Sequence, residues 1–141
     1  MTEVVGKETT TRHFATTRHF AAWALSGLSI LFFMVDGVMK LFKPDVVVQA
    51  TLKLGYPEST IVGIGIALLA CTVLYVVPRT AVLGAVLLTG YLGGAVASHV
   101  RVEDGIFNFL FPVIVGVLVW GGLWLRNPQL RAIFPMQSNA G

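Results

Sequence analysis

The stretch TAVLGAVLLTGYLGGAVASHV, Thr80 to Val100, carries no Asp, Glu, Lys or Arg. Its length is about what a helix needs to cross the ~30 Å hydrocarbon core of a bilayer, so it reads as a membrane helix. Its small residues Gly90, Gly94 and Ser98 recur every fourth position and share one face, an arrangement that lets a neighbouring helix backbone come close in lipid. That face is expected to pack inward, with Gly63 and Ala67 of the preceding apolar run on the opposing helix. The run ends at His99 and Arg101, the first groups after Arg79 able to carry charge.

The composition agrees. Of 141 residues, 55% are hydrophobic and only 12% charged, about half the charged share of a soluble domain. The mean hydropathy is +0.79. The net charge of +3 comes from ten Lys and Arg scattered through tails and connections. They form no stripe of the kind that binds nucleic acid, and they fit a role in setting topology and meeting lipid headgroups. Cys71 is the single cysteine and sits inside an apolar run, which excludes an intramolecular disulfide and a CxxC redox pair.

Read in order, the apolar runs predict an all-α, membrane-embedded four-helix bundle. Residues 1–20 are polar, with TTRHFA repeated at Thr10 to Ala15 and Thr16 to Ala21, and are expected to form a flexible or interfacial tail. The transmembrane domain then covers residues 21–126, with spans at about 21–42, 59–77, 80–100 and 106–125. Pro44 ends the first span, and Val47, Val48, Leu52 and Leu54 alternate with Asp45, Gln49 and Lys53 as in a short amphipathic helix lying in the headgroup layer. Pro78 and Arg79 make a connection so short that the second and third spans must be antiparallel neighbours. Residues 127–141 form a C-terminal tail too short to cross the bilayer again.

Four spans place both termini on one side. Lys7, Arg12, Arg18, Arg79, Arg126 and Arg131 fall there, against Lys40, Lys43, Lys53 and Arg101 opposite. This six-to-four excess predicts cytoplasmic termini.

The polar residues inside the spans mark one end of the bundle. Asp36 and Lys40 lie near the outer end of the first span, His99 and Arg101 at the outer end of the third, and Asn108 at the start of the fourth. A carboxylate within a span needs a partner or water. Two roles are open for this set. It can clasp the helices in register, or it can do chemistry, with Asp36 and His99 as catalytic acid–base candidates and Lys40, Arg101, Asn108 and Tyr91 as ligand-binding candidates. In the second role a carbonyl or quinone oxygen entering from lipid would be held by the cations. No metal-ligand spacing occurs, because the other histidines, His13 and His19, stand in the tail.

The segments DGVMKLFKP, LGYP, VPRT and GGAVASHVR, in this order between about Leu25 and Pro135, resemble the DoxX-like membrane proteins of bacteria. The resemblance implies four membrane helices in the bacterial cytoplasmic membrane. DoxX-type proteins take their name from a subunit associated with thiosulfate:quinone oxidoreduction, and relatives are linked to redox and stress-related membrane complexes. The resemblance therefore implies a small accessory protein that binds a quinone-like, lipid-soluble molecule or docks a redox protein, as a monomer or small homo-oligomer in contact with membrane lipid. The glutamate that many relatives carry in the second span has no counterpart here, since Val62 to Ala70 is wholly apolar.

Overall fold

The computed structural model describes residues 2–134, with side chains described from Phe14 onward. The charges of Lys7 and Arg12, the first half of the TTRHFA repeat up to His13 and residues 135–141 of the tail lie outside the described side chains. The elements are α1 (Thr2–Phe42), α2 (Asp45–Lys53), α3 (Ile61–Val76) entered through a 3-10 turn (Glu58–Thr60), α4 (Ala81–Arg101), α5 (Ile106–Arg126) and α6 (Pro128–Ile133). No strand occurs among the described residues.

Four helical segments are long and apolar enough to cross a membrane: Phe14–Phe42, Glu58–Val76, Ala81–Arg101 and Ile106–Arg126. The 21 residues of α4 and of α5 rise about 31 Å at 1.5 Å per residue, matching the hydrocarbon core. Large apolar side chains stand exposed around the bundle, among them Leu31, Val35, Leu83, Val86, Ile114 and Val117. Such a surface suits lipid and would not remain dispersed in water.

Of the residues 1–20 expected to form a flexible or interfacial tail, those from Thr2 onward are continuous with the first helix. Its backbone is helical from Thr2, and the apolar segment opens at Phe14. Once the apolar part has nucleated a helix, each added residue costs little, and no proline interrupts the chain before Pro44. Phe14 to Phe20 are nonetheless all exposed.

In the bundle α1 packs on α3 and α5, and α4 packs on the same two helices, so that α1 and α4 face each other across a diagonal. Phe33, Leu68, Tyr75, Leu88, Val119 and Leu123 fill the centre, each fully buried. The polar atoms there have partners. The Tyr75 hydroxyl donates to the Val119 carbonyl (2.8 Å) and lies 3.2 Å from Ser26 Oγ, while Thr72 donates back to the Leu68 carbonyl (2.8 Å). Arg126 closes the terminal end, donating to the Tyr75 carbonyl (2.9 Å) with its guanidinium 4.6 Å from the centre of that ring.

The small-residue face requires a correction. Gly63, Gly90 and Gly94 have open space where a Cβ would stand, and Ala67 is exposed; of the five residues expected to pack, only Ser98 is buried. The close approaches are made by other glycines. A Cβ on Gly84 would overlap the backbone of Tyr75, one on Gly122 would meet Ser26 N at 2.8 Å, and one on Gly65 would meet Lys40 Cβ at 2.8 Å. The reason is rotation: α4 buries Ala81, Gly84, Ala85, Leu88 and Leu92, and Gly90 and Gly94 fall on the opposite face. A repeat of small residues permits close packing but does not select the face that packs, because in lipid both faces are apolar.

Candidate functional site

The polar residues at the end of the bundle opposite the termini form two separate groups. The first clasps α2 to the end of α4. His99 Nδ1 lies 2.9 Å from Asp104 Oδ2, and Lys53, in the last turn of α2, donates to Asp104 Oδ1. Asn108 donates to the Asp104 carbonyl (2.6 Å), Arg101 donates to the Leu54 carbonyl, and the Tyr56 hydroxyl lies 2.7 Å from Ser98 Oγ. Local backbone makes this geometry. Gly55 takes φ of 81° after α2, and Arg101 Nη2 passes 3.0 Å from where a Cβ would stand, so both conformation and space call for glycine. Glu103 and Gly105 also take positive φ, folding Asp104 back beneath His99. Although Asp104 stands in a loop, its side chain is only 9% exposed. The Lys53 ammonium, and then His99, hold its carboxyl below the usual aspartate range.

The second group lies within the bundle. Lys40 Nζ donates to Asp36 Oδ1 at 2.5 Å, one helical turn away, and the Tyr91 hydroxyl reaches Asp36 Oδ2 at 3.5 Å across the α1–α4 diagonal. Asp36 thus has its partners, and they are not the ones that a single site would need. The carboxylate beside His99 is Asp104, Arg101 turns to Leu54, and Asn108 serves the α4–α5 loop. Of the catalytic and ligand-binding candidates, the fold brings together Asp36, Lys40 and Tyr91, and separately His99, Arg101 and Asn108. Asp104, Lys53 and Tyr56 are the residues that sequence reasoning missed. Nothing in their spacing marked them, since the Lys53–Asp104 and Tyr56–Ser98 contacts join positions 51 and 42 residues apart, and Asp104 reaches the nearby His99 only through the turn at Glu103. Among the described residues no group of three or more His, Cys, Asp and Glu is placed to hold a metal ion.

A third feature is apolar. Between α4 and α5 a groove of about 740 Å³ opens toward lipid. Gly93, Gly116 and Gly121 line it, Trp120 and Trp124 wall its terminal-side end, and Leu130 and Phe134 of the α6 region form its mouth. The α6 turn is placed there by Asn127, whose side chain accepts from the backbone N–H groups of Gln129 (3.0 Å) and Leu130 (3.1 Å), with Pro128 at the first helical position. The polar groups at the groove are satisfied within the protein. Trp120 Nε1 donates to Thr89 Oγ1 (2.8 Å), which donates to the Ala85 carbonyl (2.8 Å), and Trp124 Nε1 donates to the Phe134 carbonyl (3.1 Å). The lining is therefore suited to hydrocarbon.

These features define a multi-pass helical membrane protein with a clasp at the end opposite the termini and a lipid-facing groove. The chain belongs to the DoxX-like family, whose sequence model matches residues 24–122. No curated protein and no solved structure matches it.

Proposed function

We propose that this protein is a small accessory protein of the membrane that holds one lipid-soluble molecule with a long apolar chain, quinone-like in that respect, in the α4–α5 groove. The groove carries this reading. Its volume of about 740 Å³ is in the range of ligand pockets, its glycines leave room for a chain against the helix backbones, and its two indoles offer flat faces to a ring. In a redox assembly of the kind the family resemblance implies, such a protein would keep the molecule beside a redox partner. The membrane is taken as the bacterial cytoplasmic one, with both termini cytoplasmic.

The acid–base alternative through Asp36 and His99 has less support, because Asp36 is engaged by Lys40 and Tyr91 and His99 by Asp104. The proposal is tested by purifying the protein in mild detergent and identifying co-extracted molecules by mass spectrometry, beside Gly116→Leu. A Cβ at Gly116 meets only Leu92 Cδ1, at 3.6 Å, so the larger residue fills the groove without forcing the helices apart. The wild type is expected to carry one apolar molecule per chain and the folded variant none. Ligand-free wild-type protein with no affinity for quinones or lipids would overturn the proposal.

A further inference from the structure

The groove has a direction. Along α5 its lining runs from Trp124, beside the α6 mouth, to Pro112. At 1.5 Å per residue this is about 18 Å, slightly more than half of the ~30 Å hydrocarbon core. A chain lying in it starts in the headgroup layer on the side of the termini and ends just past the midplane, which is the reach of one chain from one leaflet.

The polar recognition must occur outside the groove, since Thr89, Trp120 and Trp124 have their hydrogen-bonding groups satisfied within the protein. The two ends of the bundle offer opposite surroundings for it. At the outer end Lys40, Lys43 and Lys53 are paired with Asp36, Glu58 and Asp104. At the end of the bundle that carries the mouth the charged side chains among the described residues are Arg18, Arg79, Arg126 and Arg131; every described carboxylate side chain belongs to the other end. Arg131 follows Leu130 of the mouth in α6, and one of its nitrogens donates to the carbonyl of Leu125 (3.1 Å), the residue after Trp124, which ties the guanidinium to the end of α5. A hydrocarbon slot whose mouth precedes an arginine with no acidic neighbour among the described residues complements a lipid that is apolar along its chain and negative at its head.

We infer that the α4–α5 groove takes one acyl chain of an anionic phospholipid from the leaflet on the side of the termini, with its phosphate at Arg131. This rests on the reading of the groove as a ligand site and adds the class of ligand and its orientation. Occupancy sets a lipid of defined charge against α5 and α6.

Delipidated protein offered phosphatidylglycerol or phosphatidylcholine of identical chains, and followed by native mass spectrometry, tests it. The wild type is expected to retain one phosphatidylglycerol in preference to phosphatidylcholine by about fivefold, the effect of one arginine at an anionic headgroup. Arg131→Gln should abolish the preference and keep weak binding of both lipids. Arg131→Lys, which keeps the charge and changes the contact to Leu125, should preserve the preference, an outcome that a purely structural role for Arg131 does not give. Gly116→Leu should abolish retention of both. Equal retention of the two lipids by the wild type, lost in Gly116→Leu, would overturn the headgroup inference and leave the groove reading standing. A preference that survives Gly116→Leu would mean adsorption at the surface and would also overturn it. If no lipid or quinone is retained by any form, both readings fall.

Discussion

Asp104 joins three segments at once, taking contacts from Lys53 in α2, His99 in α4 and, through its carbonyl, Asn108 in α5. Because its carboxyl is held below the ordinary aspartate pKa of about 3.9, the ionised form is favoured in the folded protein. Its contribution to stability is therefore present above that ordinary value and is lost as pH falls through the lowered one. Thermal unfolding followed across acid pH should show the wild type losing stability below about pH 4, and Asp104→Asn lacking that part of the dependence. Identical acid profiles would contradict the clasp. A second comparison concerns glycines. Gly84→Ala is expected to cost about 1–3 kcal/mol or more through overlap with the Tyr75 backbone, whereas Gly94→Leu should give wild-type amounts of folded protein. Loss of fold in Gly94→Leu would place that face inside the bundle after all. At this scale the Asp36–Lys40 pair was legible, because residues four apart share a helix face. The partner of His99 was not, because Asp104 reaches it only through the positive φ of Glu103.

Among the elements, α2 stands apart. It has no buried residue, and Val46 and Leu52 are exposed, as suits a helix resting in the headgroup layer. Its hold on the bundle comes from the contacts of Lys53, Leu54 and Tyr56 at its C-terminal end. Hydrogen exchange should therefore be faster in α2 than in α3, and Asp104→Asn should raise it further in α2 with little effect on α3. Uniform protection of both helices would mean that α2 is seated by something other than this clasp. The spans themselves were readable from their apolar runs, and the amphipathic helix from its alternation of Val and Leu with charged residues. The rotation of each span was not, since Leu87 faces lipid and Leu88 the core and nothing in their chemistry distinguishes them. The helical start of α1 was hidden by its polarity, which marks exposure and says little about backbone conformation.

For the whole molecule, charge is distributed unequally between the two ends of the bundle. Outer lysines are neutralised by ion pairs, while the arginines of the terminal end have no carboxylate beside them among the described residues. Reporter fusions at the C-terminus should register as cytoplasmic, and one in the loop at Glu103 as external; the reverse pattern would move the clasp to the cytoplasmic face. The family and the bundle were legible in the sequence, whereas the groove was not. It depends on the space that α4 and α5 leave between them at Gly93 and Gly116, a property of two helices packed together and of neither alone. Occupancy of this groove by a chain from the membrane is the proposal on which the others rest. Its most direct test is tryptophan fluorescence of the protein in bilayers titrated with brominated-chain phospholipid, because Trp120 and Trp124 line the groove. A quenching component that saturates at low mole fraction in the wild type and is absent from Gly93→Leu, where open space accepts the larger side chain, is the predicted result. Quenching that rises only in proportion to the brominated lipid, equally in both proteins, would contradict it.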